Sequence, residues 1–117
     1  MVGNDMKVIY PGSFNPMHDG HKNVLFKAKL VFGHDKVDVV KADDIEGTLP
    51  EHIRKYGYGA VIRGLRNGRD LEYEKDLLYW YEDLGLNVPI VYFICDRRFC
   101  HISSTAIRKI NEIEKGG

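Results

Sequence analysis

The sequence predicts an α/β fold: a single Rossmann-like domain in which a small parallel sheet is flanked by helices. Short apolar runs typical of strands alternate with longer segments whose apolar residues recur at helical spacing. Such alternation favours parallel strands joined by right-handed crossovers. The run at residues 60–62 is apolar at every position, as expected of a strand buried on both faces. With 117 residues the chain has the length of one domain, so residues 1–117 are assigned to a single domain.

Four strands are predicted from short apolar segments rich in valine, isoleucine and tyrosine. They lie at residues 6–10, 37–40, 60–62 and 88–94. Pro89 is compatible with the last of them because it stands at the beginning, where no ladder hydrogen bond from its nitrogen is needed.

Four helices are predicted between and after these strands. They lie at residues 20–32, 49–56, 70–84 and 106–114. Gly33 and Gly85 follow the first and third helices and are suited to end them. Thr48 can cap the second helix, and Ser103 or Ser104 can cap the last.

Composition and charge exclude several classes of protein. The 17 basic side chains equal the 17 acidic ones, so no long-range field attracts nucleic acid or an anionic membrane, and neither is expected as a partner. No signal peptide and no membrane span are found, which favours a cytoplasmic location. Cys95 and Cys100 are too few for a disulfide framework, and a single C-x4-C pair is a weak metal signal. We therefore expect reduced thiols and no metal site built by the chain.

The segment between the first strand and the first helix, residues 10–21, has the features of an anion site. It contains two glycines, two prolines, an asparagine and two histidines. A strand followed by a glycine-bearing turn and a helix N-terminus offers backbone N–H groups and a positive dipole end to an anion. His18 and His21 flank Gly20, and imidazole can donate hydrogen bonds to phosphate oxygens. The segment therefore predicts a nucleotide-phosphate site.

Two further loops that follow strands suit the same chemistry. Arg63 and Arg66 end the third strand and can present guanidinium groups to phosphate. The last helix is preceded by three hydroxyl residues, Ser103, Ser104 and Thr105. Taken singly, a solvated basic loop and an ordinary N-cap would explain these residues equally well. Because ligands of parallel sheets bind beyond the carboxyl ends of the strands, we expect all three segments to meet at one edge.

Several motifs resemble those of a known superfamily. Residues 12–21 (G-S-F-N-P-M-H-D-G-H) resemble the G-[ST]-F-x-P and H-x-G-H signature of the nucleotidylyltransferases. Residues 102–108 (I-S-S-T-A-I-R) resemble its second signature. Within the superfamily, R-G-L-R at residues 63–66 and D-L-E-Y-E at residues 70–74 are most similar to bacterial phosphopantetheine adenylyltransferases. The resemblance covers nearly the whole chain.

The resemblance implies transfer of AMP from ATP to 4′-phosphopantetheine, giving dephospho-CoA and pyrophosphate in coenzyme A biosynthesis. It implies Mg²⁺ bound with ATP, and ATP and a phosphorylated small-molecule acceptor as partners. The residues that it implies are catalytic His21, His18 and Ser13; ATP-binding Gly12, Ser13, Phe14, His18, His21, Arg66, Glu74, Ser103, Ser104 and Thr105; and substrate-binding Ser13 and Arg63.

The chain departs from the family's pattern in two places. His18 stands where this family usually has threonine, and one βα unit is missing near residues 34–36. The substrate-contacting lysine of that unit has no clear counterpart, although Lys41 or Lys36 could substitute. A small sheet with an exposed edge needs cover, which favours a homo-oligomer. Two alternatives stay open: transfer to another acceptor such as nicotinamide mononucleotide, and an inactive nucleotide-binding module.

Overall fold

Four parallel strands form one sheet in the order β2-β1-β3-β4, which confirms the predicted fold class. The computed structural model describes residues 6–66 and 68–99. The strands are β1 (Val8–Gly12), β2 (Val37–Lys41), β3 (Ala60–Leu65) and β4 (Ile90–Ile94), and the helices are α1 (Asp19–Phe32), α2 (Leu49–Tyr56) and α3 (Gly68–Asp83). Short 3₁₀ turns follow at Ala42–Asp44 and Arg97–Phe99. The helix predicted at residues 106–114 lies outside the described residues.

The two central strands of the sheet, β1 and β3, begin with runs of apolar side chains, and these side chains are buried on both faces of the sheet. One face packs under α1, through a cluster that includes Val8, Tyr10 and Val24. The other packs under α2 and the end of α3, through a cluster that includes Ile9 and Ile53. This two-sided burial explains why the central strands read as continuous apolar runs rather than alternating ones.

Helix boundaries follow the cap residues closely. Thr48 Oγ1 accepts a hydrogen bond from the backbone N–H of Glu51 at 3.3 Å, and α2 has the predicted bounds. Gly57, with φ +74°, ends that helix in the left-handed conformation that favours glycine. Gly33 ends α1 as predicted, with its N–H bound to Lys29 O. In the described part of the chain, no helix combines the length and hydropathy that a membrane span requires.

The prediction for the third strand was wrong at its carboxyl end. Residues 63–65, expected as the start of a loop, continue β3 and pair with Tyr92, Phe93 and Ile94. Gly64 disfavours a strand by local propensity, but here it admits close packing, since a Cβ at this position would lie 2.8 Å from Val24 Cγ2. Pairing with β4 therefore overrides the local signal.

Smaller differences occur at the other strands and at α3. The first strand begins at Val8 rather than residue 6 and extends to Gly12, because Pro11 and Gly12 pair with β2. The fourth begins at Ile90 rather than residue 88, and α3 covers Gly68–Asp83 rather than residues 70–84. β2 follows α1 after only residues 33–36 and pairs directly with β1.

Candidate active site

A cavity of about 370 Å³ lies at the carboxyl ends of β1 and β3, between the first turn of α1 and the first turns of α3. Among described residues it is lined by Tyr10, Pro11, Gly12, Ser13, Phe14, His18, Gly20, His21, Val24, Arg63, Gly64, Arg66, Asp70, Tyr73, Glu74 and Cys95. The structure thus brings together residues 10–21, the histidine turn, and the end of β3 with its two arginines. Ser103, Ser104 and Thr105 lie outside the described residues, so their place in the site stays a prediction.

The turn after β1 is shaped by Phe14, which folds back over Gly12. A Cβ at position 12 would lie 2.8 Å from Phe14 Cζ, so a larger residue would displace the ring. The buried ring meets Tyr10 and His21 edge-on, each at a centroid distance of 5.0 Å. The Phe14 ring therefore packs against the His21 ring and restricts its orientation. Ser13, next to it, is exposed and lines the cavity.

The two histidines cap α1 reciprocally. His18 Nδ1 accepts the backbone N–H groups of Gly20 at 3.1 Å and His21 at 3.4 Å. His21 Nδ1 accepts the backbone N–H of His18 at 3.2 Å, which completes a capping box. The two rings stack with centroids 3.7 Å apart. Both side chains are thereby fixed at the N-terminus of the helix.

This capping determines which nitrogen of each ring can bind a ligand. A neutral imidazole carries one proton, and because Nδ1 accepts a hydrogen bond in both rings, the proton lies on Nε2. Burial, His18 and Arg66 together lower the pKa of His21, so its neutral form is favoured at pH 7. His18 and His21 therefore offer two Nε2–H donors at a positive helix end, an arrangement suited to phosphate oxygens.

We expect stability to fall in mildly acidic solution because of His21. Its pKa in the folded chain lies below the unfolded value of about 6.5, so the unfolded chain takes up the proton more readily. The contribution is complete above about pH 6.5 and is lost as the pH falls through the folded pKa. The variant His21→Gln keeps a cap acceptor but has no titrating group, so its urea midpoint should fall less between pH 8 and 5.5.

The exposed His34 provides the matched control for this measurement. His34→Gln also replaces one imidazole, outside the cavity, so an effect that comes merely from removing a histidine would appear in this variant as well. If the urea midpoint falls as steeply with pH in His21→Gln as in the wild type, His21 is not the source of the loss of stability in acid.

Arg63 and Glu74 form a bidentate ion pair inside the cavity. Arg63 Nε lies 3.0 Å from Glu74 Oε2, and Nη2 lies 2.7 Å from Oε1. Glu74 is only 4% exposed. Burial works against the charge of Arg63, but the Glu74 carboxylate outweighs it and the pKa of Arg63 is raised. The guanidinium is thus a fixed cation in the cavity wall, and its partner Glu74 lines the same cavity.

Arg66 is held by Asp70, a residue to which the sequence analysis gave no role of its own. Asp70 Oδ2 accepts the backbone N–H of Arg66 at 2.9 Å and its Nε–H at 3.1 Å. The carboxylate thereby ties the end of β3 to the first turn of α3. In the sequence, the only sign of this contact was that Asp70 follows Arg66 by four residues, a spacing at which opposite charges often pair. Tyr73 and Cys95 also line the cavity without having been predicted there.

The described residues provide no group of three or more His, Cys, Asp or Glu side chains arranged to hold a metal ion. Cys95 is a buried thiol in the cavity wall, and Cys100 lies outside the described residues. A divalent cation would therefore need ligands beyond these side chains, such as the phosphate oxygens of a nucleotide.

A second, more open cavity of about 580 Å³ lies beside the first, at the carboxyl end of β2. It is lined by Phe14, Asn15, Pro16, Met17, Val39, Lys41 and Asp44. Lys41 is the register partner of Gly12, so it stands next to the turn that the first cavity shares. Lys36 precedes β2 at the opposite end, where its carbonyl accepts the N–H of Val8. Of the two lysines, only Lys41 is at the edge of the site.

The fold and this turn define a class of proteins, the nucleotidyltransferases. Residues 9–45, which run from the second residue of β1 through α1 and β2, match a family model described as cytidylyltransferase-like. The particular family follows from whole-chain relatives.

The chain is 33% identical to the phosphopantetheine adenylyltransferase of Mycoplasma mycoides subsp. mycoides SC, over 92% of this chain and 97% of the relative. It is also 33% identical to the enzyme of the same name from Mycoplasma capricolum subsp. capricolum, over 94% of this chain and 100% of the relative. A third relative of that name, from Clostridium novyi, is 25% identical over 87% of this chain and 81% of the relative. The chain therefore belongs to the phosphopantetheine adenylyltransferase family.

These comparisons also bear on the missing βα unit. The alignments to the two Mycoplasma proteins span 138 and 142 positions, which exceed the 117 residues of this chain by 21 and 25. At least that many positions of each alignment face no residue here. That number of positions would suffice for one strand and one helix, and the sequence analysis places the missing unit at the short connection from α1 to β2, residues 33–36.

Proposed function

We propose that the protein transfers AMP from ATP to 4′-phosphopantetheine, releasing pyrophosphate and forming dephospho-CoA in coenzyme A biosynthesis. The observation that carries this proposal is the juxtaposition within one cavity of two Nε2–H donors, from His18 and His21, with the fixed cation of Arg63. The names and extent of the relatives support the choice of acceptor over nicotinamide mononucleotide.

The proposed reaction needs no covalent intermediate with the protein. A phosphate oxygen of the acceptor attacks the α-phosphorus of ATP, a new P–O bond forms, and the bond to the bridging oxygen breaks as pyrophosphate leaves. Rate enhancement then comes from holding the two phosphates in line and from stabilising the charge on the phosphoryl oxygens. His21 and His18 donate to those oxygens from the helix end, and Arg63 and Arg66 supply positive charge from β3 and its end.

The other residues are assigned roles around this centre. Gly12, Ser13 and Phe14 are assigned to the turn that approaches the nucleotide, and the exposed Ser13 is assigned a contact with each substrate. Glu74 supports the site through Arg63. We assign binding of the outer phosphates to the hydroxyl residues Ser103, Ser104 and Thr105, at a proposed helix N-terminus. Mg²⁺ is proposed to travel on the ATP phosphates, since the described side chains offer no ligand group of their own.

Lys41 is proposed as the cation on the acceptor side. It stands beside Gly12 in the second cavity, where Met17 and Val39 offer apolar contacts for an extended acceptor. Lys41→Gln is expected to raise the KM for phosphopantetheine about tenfold or more, the usual effect of losing a hydrogen bond to a charged group. The matched variant Lys36→Gln, at the other end of β2, should leave that KM unchanged.

Steady-state kinetics with each substrate varied in turn would make this comparison. A KM for ATP that rises instead, with the KM for the acceptor unaltered, would place Lys41 on the nucleotide side.

The proposal as a whole is tested by incubating the protein with Mg·ATP and following pyrophosphate release. Release with phosphopantetheine, and none with nicotinamide mononucleotide, is the expected result. Release only with another acceptor would overturn the substrate assignment. Binding of ATP with no release for any acceptor would leave a nucleotide-binding module, the outcome that the missing βα unit makes worth testing.

A cytoplasmic homo-oligomer completes the proposal. β2 and β4 are the two edges of the described sheet, and exposed apolar side chains, among them Phe26, Leu30 and Trp80, lie on the flanking helices. Covering such edges and side chains with a second copy would satisfy both.

A further inference from the structure

The chain that follows β4 runs back along α1 toward the histidine turn. Lys27 Nζ donates to the carbonyl of Ile94 at 2.6 Å. One turn nearer the helix N-terminus, Asn23 binds Asp96. Nearer still, Gly20 lies so close that a Cβ there would be 3.4 Å from the carbonyl oxygen of Phe99. Positions 20, 23 and 27 share one face of a helix, so residues 94–99 are docked on α1 in the antiparallel direction.

The central contact of this docking is a reciprocal pair between Asn23 and Asp96. Asn23 Nδ2 donates to Asp96 Oδ2 at 2.9 Å, and the backbone N–H of Asp96 donates to Asn23 Oδ1 at 2.8 Å. Lys27 Nζ adds an ion pair with Asp96 Oδ1 at 2.7 Å. Asn23 is 8% exposed, and both ends of its amide are used. A buried amide that loses such partners incurs a desolvation penalty, so this pair strongly favours one arrangement of the two segments.

The arrangement matters because each segment carries part of the cavity. The N-terminus of α1 holds His18 and His21, and Cys95, next to Asp96, forms another part of the cavity wall. The N–H of Cys95 is bound to the carbonyl of Leu65 at 2.9 Å, so that wall is continuous with β3 and its Arg63. The pair therefore lies between the helix that bears the imidazole donors and the strands that bear the guanidinium.

We propose that Asn23 and Asp96 are positioning residues for the nucleotide site. They fix the N-terminus of α1, with its two histidines, against the carboxyl ends of β3 and β4. A nucleotide triphosphate then meets the imidazole and guanidinium groups in one preformed geometry. Misplacement of such groups by about 1 Å can cost on the order of 100-fold in rate. The inference deepens the proposed function and rests on it.

The exchange of donor and acceptor across the pair provides a sharp test. In Asn23→Asp two carboxylates face each other, and we expect the Kd for a non-hydrolysable ATP analogue to rise about tenfold or more. Adding Asp96→Asn restores both hydrogen bonds, because the new amide at position 96 can donate to the new carboxylate at position 23. That carboxylate also accepts the backbone N–H of residue 96. The double variant should return the Kd to within about threefold of wild type.

A structural contact alone would behave differently, and calorimetry with urea unfolding separates the cases. Ile53→Val, on the opposite face of the sheet, loses stability without touching the pair and should leave the Kd unchanged. An Asn23→Asp protein with a lowered urea midpoint and an unaltered Kd would overturn the proposal, as would a double variant that recovers stability without recovering affinity. Should Asn23→Asp fail to fold, Asn23→Ser takes its place, because it removes the amide without adding a charge. A folded Asn23→Ser protein should also bind the analogue about tenfold or more weakly, and a wild-type Kd would overturn the proposal.

Nucleotide binding is measured without turnover, so the two proposals fail separately. A wild-type protein that binds the analogue but transfers no AMP would overturn the proposed function and leave this inference standing. A wild-type protein that binds no nucleotide would remove both.

Discussion

Replacing His21 with glutamate is expected to lower AMP transfer by about three orders of magnitude while α1 stays capped. The new carboxylate can accept the backbone N–H of His18, as glutamate does at this position of a capping box. It has no N–H to donate, and its charge repels phosphate. Loss of one donor to a developing negative charge costs on the order of 10²–10³ in kcat. The measurement is pyrophosphate release at saturating ATP, with circular dichroism to verify the helix.

Two other substitutions at the same position separate the cap from the donor. In His21→Gln the amide oxygen and NH₂ group stand where Nδ1 and Nε2–H were, so this variant should keep more activity than the glutamate variant. His21→Ala loses the cap acceptor as well, and its free energy of unfolding should drop by about 0.5–2 kcal/mol. A rate of pyrophosphate release by His21→Glu within tenfold of the wild-type rate would show that the Nε2–H of His21 takes no part in transfer.

The departure at His18 has a physical explanation in the same geometry. The family usually has threonine here, and threonine is a common N-cap because its hydroxyl accepts the first helical N–H groups. His18 Nδ1 accepts the N–H groups of Gly20 and His21, so the cap is preserved. Its Nε2–H then adds a donor at the helix end. The substitution therefore retains the local folding signal and adds an N–H donor of the kind that the proposed phosphate site uses.

The fold was predictable where the signal is local or where burial is complete. β1 and β3 lie in the centre of the sheet, and their unbroken apolar runs report burial on both faces. Thr48 caps α2 and Gly33 ends α1, both as predicted, and each acts within one turn of its own position. The end of β3 was missed because residues 63–65 are strand only through their pairing with β4, which stands more than twenty residues later.

The candidate site divides in the same way. The histidine turn was predicted from its own twelve residues because glycine, proline and histidine constrain the backbone and the chemistry there. The pairing of Arg63 with Glu74 was not predicted, since it depends on how α3 lies against β3. The sequence assigned the two residues to different substrates, whereas the structure joins them. Lys41 was distinguished from Lys36 only by the strand register.

Removing the carboxylate of Glu74 is expected to have the largest effect on stability. Glu74→Ala leaves the guanidinium of Arg63 in the cavity wall without its bidentate partner. The side chain of Arg63 keeps 22% exposure and that of Glu74 only 6%, so water replaces the lost contact only in part. Breaking a buried pair typically costs about 3–5 kcal/mol, and the exposure of Arg63 favours the lower end, about 3 kcal/mol. Against a total of about 5–15 kcal/mol, this loss is large, and urea unfolding would measure it.

A neighbour on the same helix and a compensated pair make the comparison specific. Glu72 is exposed two residues away, so Glu72→Ala should change stability by no more than about 0.5 kcal/mol. Replacing both partners, as Arg63→Met with Glu74→Leu, removes the uncompensated charge and should recover most of the lost stability. The same double variant should not recover nucleotide binding, because the cation itself is gone. A Glu74→Ala protein as stable as Glu72→Ala would mean that Arg63 finds another anion or water, and that Glu74 does not hold it in place. If the double variant recovers stability but not nucleotide affinity, as expected, the two roles of the pair are separated. Glu74 then compensates a buried charge, and Arg63 presents that charge to phosphate.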